Sequence, residues 1–403
     1  MKSNRKDISL NSAKFARNGD RELSVELPSL SRISNGSDAV FPGLSVRRVK
    51  HLIGEATQSK VIVLGDIMLD EFVWGSVRRI SPEAPVPVVH LERESFMPGG
   101  AANVARNLGA LKIPTELFSI IGKDEAGKKL KDLLSEANVG ADGCLQSTNS
   151  VTTVKTRIIA HQQQVVRLDR ERVQPPDQRA VSRLMRLVKE KLATADALII
   201  GDYGKGIVTQ ALLDWLKETC RAYGVWLSMD PKPAHTLDLS GVSLLTPNRK
   251  EAFELAGVTE TAGCTDPLKD RELLGVAQSL LASLQPGVLL ITLGERGMLL
   301  CENGKQCVHI PTVAKQVFDV SGAGDTVIAT FTAAISAGAS PTEAAILANC
   351  AAGVVVGKVG TATASAQELL RNVVACNGEL TPRYGTSLGR HTRVNGHAVA
   401  VKA

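Results

Sequence analysis

The chain has 403 residues, of which 44% are hydrophobic and 22% are charged. It is therefore long enough to bury a large core, and its composition is that of a globular protein rather than a disordered one. The net charge of +6 lies in the two ends, because residues 1–50 carry ten Lys or Arg against five Asp or Glu and residues 377–403 carry four against one, which leaves −2 for residues 51–376. This distribution disfavours a nucleic-acid surface on the central part. No apolar run reaches the roughly 20 residues that cross a bilayer, so we expect no membrane partner.

The two ends differ from the middle of the chain. Residues 1–45 are rich in Ser and basic residues but contain no apolar segment typical of a secretory signal. Acidic residues within them, such as Asp20 and Glu22, also argue against a transit peptide. We therefore predict a disordered or targeting-like extension for residues 1–45, one domain for residues 46–376 and a polar tail for residues 377–403.

Cysteine usage indicates a reducing compartment. The seven cysteines are odd in number and none forms a C-x-x-C pair. Cys301 and Cys307 lie closest in sequence, but no histidines accompany them at zinc-ligand spacing. We expect reduced, mostly buried thiols and a cytoplasmic protein.

Strands and helices alternate along the domain. After a short helix predicted for residues 46–57, short apolar runs ending in Gly, Asp or Asn predict strands at residues 61–64, 117–121, 197–200, 225–229, 243–245 and 288–293. Helical patterns lie between them at residues 128–137, 178–193, 209–223 and 249–256. This alternation predicts an α/β fold with a doubly wound, mostly parallel sheet. Such sheets bind ligands beyond the carboxyl ends of their strands, which makes Asp66 and Asp202 candidates by position.

Two stretches do not follow this alternation. Residues 85–92 and 155–170 alternate in polarity, and the first contains prolines. Both are typical of antiparallel strands outside the main sheet. They predict a small β-sheet lid over the strand ends, at about residues 78–98 and 151–170.

Two glycine-rich segments only partly fit a P-loop. The segment GKDEAGKK (residues 122–129) follows a strand, but Lys129 stands where the pattern needs Ser or Thr. The segment GVVVGK (residues 353–358) is one residue too short. We interpret both as ordinary loops and helix ends, which disfavours a P-loop nucleotide hydrolase.

A third glycine-rich segment, DVSGAGDT (residues 319–326), suits an anion better. It lacks the third glycine of a dinucleotide-binding site. Gly322, Ala323 and Gly324 have little or no side chain, so their N–H groups can approach an anion at the start of an Ala- and Thr-rich helix. Asp325 would lie beside that site and could accept a proton from a hydroxyl group. The alternative role for Asp325 is a simple helix cap.

Four motifs together resemble a known family. The segments PGGAANVARNLG (residues 98–109) and DVSGAGDT resemble the two signatures of ribokinase-like, PfkB-type carbohydrate kinases. TPNRKE (residues 246–251) and ITLGERG (residues 291–297) resemble the magnesium and nucleotide segments of that family. The resemblance covers about residues 55–372, and it implies the ribokinase-like fold, a sugar substrate, ATP and Mg²⁺.

Three further segments resemble one branch of that family, the heptose-phosphate kinases. They are GDIMLD (residues 65–70), RISPEAPVPV (residues 79–88) and GDYGKG (residues 201–206). The resemblance implies phosphorylation of the anomeric hydroxyl of a heptose 7-phosphate for ADP-heptose synthesis. These kinases are often fused to a nucleotidyltransferase, but no H-x-G-H motif is present, so we expect only the kinase activity here. The alternatives are another PfkB-type kinase, acting on a hexose phosphate or a nucleoside, and a catalytically silent sugar or nucleotide sensor.

The resemblance also implies a role for individual residues. Asp325 would be the catalytic base, and Gly322, Ala323 and Gly324 would form the anion hole. The residues expected around the sugar phosphate are Asp66, Asp70, Gly99, Gly100, Asn103, Lys155, Arg157, Arg167, Asp202 and Lys205. The residues expected around the nucleotide are Asn248, Arg249, Lys250, Glu251, Thr292, Gly294, Gly297 and Asn349.

Several of these residues have a plain structural alternative. Asp70 and Asn103 could cap helices, Glu251 could lie on a solvated helix rather than hold magnesium, and Asn349 could be buried in the core instead of touching adenine. Lys155 and Arg157 lie two apart on a predicted strand and therefore on one face, but that face could simply be solvated. An apolar edge strand in the lid predicts a homodimer formed through the lid.

Overall fold

A computed structural model of the protein describes residues 39–41, 44–161, 163–260, 263–314, 317–376 and 382–385. Residues 1–38 of the predicted extension and most of the predicted tail lie outside these ranges. The helices are α1 (Val46–Ala56), α2 (Ala101–Ala110), α3 (Glu125–Glu136), α4 (Gln178–Leu192), α5 (Gln210–Tyr223), α6 (Arg249–Leu255), α7 (Arg271–Leu284), α8 (Ala323–Ser336), α9 (Pro341–Val355) and α10 (Ala366–Ala375). The strands are β1 (Ala39–Phe41), β2 (Leu44–Ser45), β3 (Val61–Gly65), β4 (Ile67–Ile80), β5 (Pro87–Gly100), β6 (Thr115–Gly122), β7 (Cys144–Ser147), β8 (Thr153–Ala160), β9 (Gln163–Arg170), β10 (Ala197–Gly201), β11 (Trp226–Asp230), β12 (Leu244–Leu245), β13 (Val288–Thr292), β14 (Met298–Cys301), β15 (Val308–Ile310) and β16 (Arg383–Tyr384).

The main sheet confirms the predicted doubly wound architecture. Its strand order is β16-β15-β14-β13-β12-β11-β10-β3-β6-β7, and the strands from β13 to β7 all run parallel. Strands β14 to β16 continue the sheet antiparallel. Within the predicted tail, Arg383 and Tyr384 form β16 on the sheet edge, and Arg383 binds Asp266 at 2.6 Å.

The core lies on both faces of this sheet, which explains why its central strands are apolar throughout. Val61 and Val63 of β3 pack into one cluster together with α1, α2, α8 and α9. Ile62 and Leu64 of the same strand pack into the other cluster, with α4, α5 and α7. A strand covered by helices on both faces needs apolar residues at every position rather than at every second one.

The second sheet is larger than the sequence predicted. Its order is β5-β4-β8-β9, with antiparallel pairing of β4 with β5 and of β8 with β9. Strand β4 begins at Ile67, only one residue beyond β3, and pairs parallel with β8. The first lid strand thus starts well before residue 78, and one of the pairings predicted as antiparallel is parallel.

The cysteine prediction is wrong for one pair. Cys301, at the end of β14, and Cys307, just before β15, form a disulfide with a Cα–Cα distance of 4.5 Å. Cys144, Cys220 and Cys350 are buried free thiols, as expected, and burial raises the pKa of Cys144 to about 12. Within the described ranges, no helix is long and apolar enough to cross a membrane.

Candidate active site

The carboxyl ends of the central strands meet at one edge of the main sheet. Gly65, Gly201 and Asp230 are register partners on β3, β10 and β11, so these three strands end level with one another. Helix α8 packs against α2, β10 and β11. The lid strand β4 leaves from the same edge, because it follows β3 directly. This edge is therefore where the predicted site residues can converge.

Asp325 lies in the first turn of α8, as the sequence predicted. Its Oδ2 accepts a hydrogen bond from Asn103 Nδ2 at 2.7 Å, and its Oδ1 accepts one from the Tyr203 hydroxyl. Burial raises the pKa of the Asp325 carboxyl, while the hydrogen bonds from Tyr203 and Asn103 act in the opposite direction. The side chain is thus a buried carboxylate held by two donors rather than a solvated helix cap.

The backbone before Asp325 has a shape that lets an anion approach it closely. Gly322 is the N-cap of α8 with φ of 78°, in the left-handed region that favours glycine. A Cβ on Gly322 would lie 2.5 Å from Asn103 Nδ2, whereas a Cβ on Gly324 would meet no atom within 4 Å. Asp319 anchors the segment, because its carboxylate accepts from the backbone N–H groups of Ser321 and Gly360. The open side of the turn lies at Gly324, where an anion could reach the first N–H groups of the helix.

Asn103 links the two signature segments. It lies in the first turn of α2, and its Oδ1 is buried without a hydrogen-bond partner among the described residues. Asn107, one turn later, donates to the Asn103 carbonyl and accepts from the Thr326 hydroxyl of α8. The structure therefore brings the two signatures, separated by about 220 residues, into direct contact.

Asp70 lies on the lid rather than at a main-sheet strand end. Its Oδ1 accepts from Arg157 at 2.5 Å, between neighbouring strands β4 and β8. Gly99 packs against it so closely that a Cβ there would lie 2.3 Å from Asp70 Oδ2. Gly100, with φ of 62°, forms the N-cap of α2. The sugar-binding candidates Asp70, Gly99 and Gly100 thus stand together at the start of the lid.

Asp66 has a different environment from the one predicted. Its carboxylate accepts three backbone hydrogen bonds, from the N–H groups of Tyr203, Lys205 and Ile207 at 2.9–3.1 Å. Asp202 likewise accepts from the Gly204 N–H group and contacts His235 Nδ1 at 3.2 Å. Both carboxylates hold the loop that follows β10 in place, so we assign them to the architecture of the site.

Cationic side chains cluster beside this loop. Lys155 is half-buried, and its pKa is lowered by burial and by the neighbouring charge of Lys205. Lys205 forms an ion pair with Glu171 at 2.7 Å, and Arg167 forms one with Asp169 at 2.8 Å. Within the described part of the chain, no ion pair or hydrogen bond is found for the Lys155 ammonium group. Lys155 and Lys205 therefore repel each other unless an anion lies between them.

The nucleotide candidates separate into two groups. Asn248 and Glu251 form a capping box at the start of α6, with side-chain to backbone distances of 2.9 and 3.0 Å. Thr292 pairs with Asn248 through an isolated bridge, and Gly294 leaves open space around its Cα. These four residues lie next to each other at the carboxyl ends of β12 and β13.

The second group is occupied by structural contacts. Arg249 is buried and donates to Asp270 at 2.9 Å, and Asn349 donates to the Pro311 carbonyl at 2.7 Å. A Cβ on Gly297 would lie 2.1 Å from the Ile310 carbonyl oxygen, so that glycine is required by packing. Lys250 is exposed, 3.7 Å from Glu254. Each of these contacts accounts for its residue without a nucleotide, so the assignment of these residues to the nucleotide stays a prediction.

Sequence reasoning missed three residues of the site. Tyr203 was overlooked although it lies within GDYGKG, and Arg106 although it follows Asn103 by one helical turn. The third residue is Asp230, the last residue of β11. Its position at a strand end, like that of Asp66 just after β3, is the signal that could have identified it. Burial, together with the carboxylates of Glu251 and Asp325, raises the pKa of Asp230 well above its ordinary value.

The carboxylates of Glu251 and Asp230 are suitable ligands for magnesium, although they would not surround an ion by themselves. No group of three or more His, Cys, Asp or Glu side chains within the described ranges could hold a metal ion. Magnesium requires fewer protein ligands, since it binds through one or two carboxylates together with waters and phosphate oxygens. The charge of Glu251 raises the pKa of the nearby Asp230, and a cation bound beside them would favour the ionised form of both side chains.

Known proteins share both the sequence pattern and the fold. Residues 58–368 match the family model described as "pfkB family carbohydrate kinase". Proteins named "Bifunctional protein HldE" are 40% identical over 328 residues in Citrifermentans bemidjiense and 41% identical over 330 residues in Caulobacter vibrioides. These matches cover 81% and 82% of this chain, and the chain spans about two thirds (66%) of the length of each relative.

Solved structures agree with the architecture. Arabidopsis thaliana ribokinase, in complex with ribose and ATP, superposes with a TM-score of 0.61 at 20% identity and covers 78% of this chain and 98% of its own. Phosphofructokinase-2 from Escherichia coli, in complex with potassium, superposes with a TM-score of 0.64 at 20% identity and covers 79% and 98%. At 20% identity these two structures show that the fold is shared, and nothing further.

Proposed function

Since the chain belongs to the pfkB family of carbohydrate kinases, we propose that it transfers the γ-phosphoryl group of ATP to the anomeric hydroxyl of D-glycero-D-manno-heptose 7-phosphate, giving the 1,7-bisphosphate. The observation that carries this proposal is the contact between Asp325 and Asn103, which joins a buried carboxylate to a sugar-binding segment at the tip of α8. The choice of sugar is supported by the segments that resemble heptose-phosphate kinases and by the named relatives.

Asp325 acts as the general base. In the ionised form its oxygens retain lone pairs besides those used by Tyr203 and Asn103, so a sugar hydroxyl can donate to it as well. Removing that proton as the oxygen attacks phosphorus is the task of a base in phosphoryl transfer. Burial of the carboxyl raises its pKa and hence makes it a stronger base than an exposed aspartate.

The turn at residues 322–324 stabilises the transferring phosphoryl group. The first N–H groups of a helix have no partner within the helix, and α8 begins at Ala323 beside Asp325. Their partial positive charge favours the negative oxygens of the transferred group at that point. Open space at Gly324 permits the approach without displacement of a side chain.

Asn103 and Asp70 bind sugar hydroxyls. The unpartnered Oδ1 of Asn103 is a buried acceptor, and burying such an atom unpaired costs free energy until a donor is supplied. A sugar hydroxyl next to Asp325 would supply that donor. Asp70 Oδ2, against Gly99, is free to accept a second hydroxyl while Oδ1 remains with Arg157.

Lys155 and Lys205 bind the phosphate that the substrate already carries. Their mutual repulsion is relieved when an anion binds between them, and Lys205 can exchange Glu171 for that anion. Arg157 and Arg167 lie on the neighbouring part of β8 and β9 as register partners and extend the positive surface. Among the described residues of this cluster, the Lys155 ammonium group has no ion-pair partner, and a substrate phosphate would supply one, which favours a phosphorylated substrate.

Glu251 holds Mg²⁺ through water, close to Asp230. When bound with ATP, the ion would neutralise phosphate charge during transfer. The chain's own contribution is to fix Glu251 by its capping box with Asn248, in which Glu251 Oε2 accepts from the Asn248 backbone N–H group while Oε1 lies 3.9 Å from Lys232 Nζ.

The lid forms the contact of a homodimer. Its strands and the connection between β4 and β5 carry apolar side chains that are 40–60% exposed in the single chain, namely Ile80, Val86, Leu91, Val165, Val166 and Leu168. Such a surface on a sheet with open edges is typical of a protein interface.

The test is a substrate panel that measures ADP release with heptose 7-phosphate, fructose 6-phosphate, ribose and a nucleoside at equal concentration. We expect the highest kcat/KM for heptose 7-phosphate. Preferred turnover of fructose 6-phosphate or ribose would assign the chain to another branch of the family. Absence of turnover with every sugar, in the presence of bound ATP, would indicate a silent sensor.

A further inference from the structure

Tyr203 contacts the proposed catalytic base from a part of the molecule distant in sequence. Its hydroxyl donates to Asp325 Oδ1, while Asn103 donates to Oδ2 from the other side. Its ring is partly buried against the core. Burial raises the pKa of the tyrosine well above its ordinary value, so the hydroxyl remains protonated near neutral pH and acts as a donor.

The backbone that carries Tyr203 is unusually well fixed for a loop. Asp66, buried at the end of β3, accepts hydrogen bonds from three backbone N–H groups of this loop, including that of Tyr203 at 3.0 Å. Asp202 closes the loop from the other side through the Gly204 N–H group. Two buried carboxylates therefore determine the position of one aromatic side chain, which is more than a passive surface loop requires.

We propose that Tyr203 is a positioning residue for phosphoryl transfer: its hydroxyl holds the Asp325 carboxylate in one orientation and in the ionised form, and the Asp66-anchored loop holds Tyr203 in place. The proposal rests on the proposed function only in the role of Asp325 as base. A base must be both deprotonated and aimed at the hydroxyl it activates. A fixed donor on one carboxylate oxygen supplies both conditions without touching the substrate.

The other groups around Asp325 make such a donor important. The Asp70 carboxylate on β4 acts together with burial to raise the pKa of Asp325, and the charge of Asp325 in turn raises the pKa of Asp230 on β11. Arg106 on α2 is the cation that opposes them, but among the described residues it makes no hydrogen bond to Asp325. Apart from Asn103, Tyr203 is therefore the group in the described site that donates directly to the base.

The experiment compares the wild-type protein with Tyr203→Phe, using ¹³C NMR of the full chain labelled at the aspartate carboxyl carbons. The resonance absent from Asp325→Asn identifies Asp325. Loss of a hydrogen bond to the charged form favours protonation, so the titration midpoint of Asp325 should move upward by about one pH unit in Tyr203→Phe. Tyr223→Phe, which changes an exposed tyrosine on α5, should leave it unchanged.

Turnover provides the second readout. The acidic limb of the kcat/KM profile should move upward by the same amount in Tyr203→Phe, with KM for ATP unchanged. An Asp325 midpoint equal to that of the wild type would overturn the proposal, whereas a shifted midpoint in a protein with no sugar turnover would reject the proposed function and retain this contact. If Tyr203→Phe does not fold, fluorotyrosine replaces tyrosine in a Tyr223→Phe, Tyr384→Phe background. Its stronger donor should move the midpoint downward, and an unmoved midpoint would equally refute the role.

Discussion

Replacing Asp325 by Asn removes the proposed base while preserving the shape of its surroundings. The amide oxygen that Asp325→Asn introduces can still accept from the Tyr203 hydroxyl. The new amide nitrogen would face Asn103 Nδ2, but the Oδ1 of Asn103 has no partner among the described residues and can turn toward it by a rotation of the amide. The variant should therefore fold. Because the rotated Asn103 would present its Nδ2 rather than its Oδ1 to the sugar, kcat rather than KM for the sugar measures the loss of the proton acceptor.

The expected loss is in the chemical step. General base catalysis contributes about 10²- to 10⁴-fold, so kcat should fall by that factor, equivalent to about 3–5 kcal/mol of transition-state stabilisation. Affinity for ATP should change by less than about twofold, because the N–H groups of α8 are unaltered. Rapid-quench measurement of ADP, together with nucleotide binding by calorimetry, separates the two quantities.

The Asp325→Asn substitution should lower activity without lowering the free energy of unfolding at neutral pH. Burial raises the pKa of Asp325 in the folded protein above its unfolded value of about 3.9, so ionisation lowers the free energy of unfolding as the pH rises through that interval. The Asp325→Asn variant should hence be at least as stable as the wild type at pH 7, with no advantage below about pH 4. Asp142→Asn, at a position outside the site, serves as the matched control for the loss of a carboxylate. A kcat within about threefold of the wild type would remove Asp325 from the mechanism.

Three further changes test other parts of the site. Lys155→Met should raise KM for the sugar phosphate about tenfold or more and leave KM for ATP unchanged. The control Lys189→Met, on the exposed side of α4, should change neither value, and a KM for the sugar phosphate in Lys155→Met equal to that of the wild type would remove Lys155 from the phosphate site. Glu251→Gln keeps the capping box but should raise the Mg²⁺ concentration for half-maximal rate, and an unaltered Mg²⁺ dependence would contradict the assignment. Gly322→Ala should lower the thermal midpoint because its Cβ meets Asn103, whereas Gly324→Ala should preserve the midpoint and lower kcat; the reverse order would place the anion elsewhere.

The main sheet could be predicted because its physical signal is local. Strands such as β3 and β10 are buried on both faces, so they appear as short apolar runs that end in Gly or Asp. Helix α8 is buried along most of its length and is apolar for the same reason. The prediction of Asp325 at its start is confirmed by the helix boundary.

The lid was predicted only in part because β4 carries a mixed sequence. Asp70, Glu71 and Gly75 interrupt any apolar pattern, and the strand is defined by its pairing with β5 and β8 rather than by its own residues. Its parallel pairing with β8 depends on how two distant hairpins meet, which local periodicity does not encode.

Side-chain partners across the site could not be predicted from local sequence. Tyr203 is 122 residues from Asp325 and Asn103 is 222 residues from it, and these contacts are determined by the packing of α2, α8 and β10. The carboxylate of Asp66 resembled a ligand-binding group in the sequence, but its three backbone partners become visible only when the loop after β10 is folded over it. The disulfide between Cys301 and Cys307 likewise depends on the turn between β14 and β15.

The central claim is tested most directly by ³¹P NMR of the reaction mixture, with ATP, Mg²⁺ and heptose 7-phosphate as substrates. We expect a second phosphate resonance on the sugar, coupled to the anomeric proton, that grows at the rate at which ADP appears. Formation of ADP and inorganic phosphate without that resonance, or attachment of the new phosphate at another carbon, would contradict it.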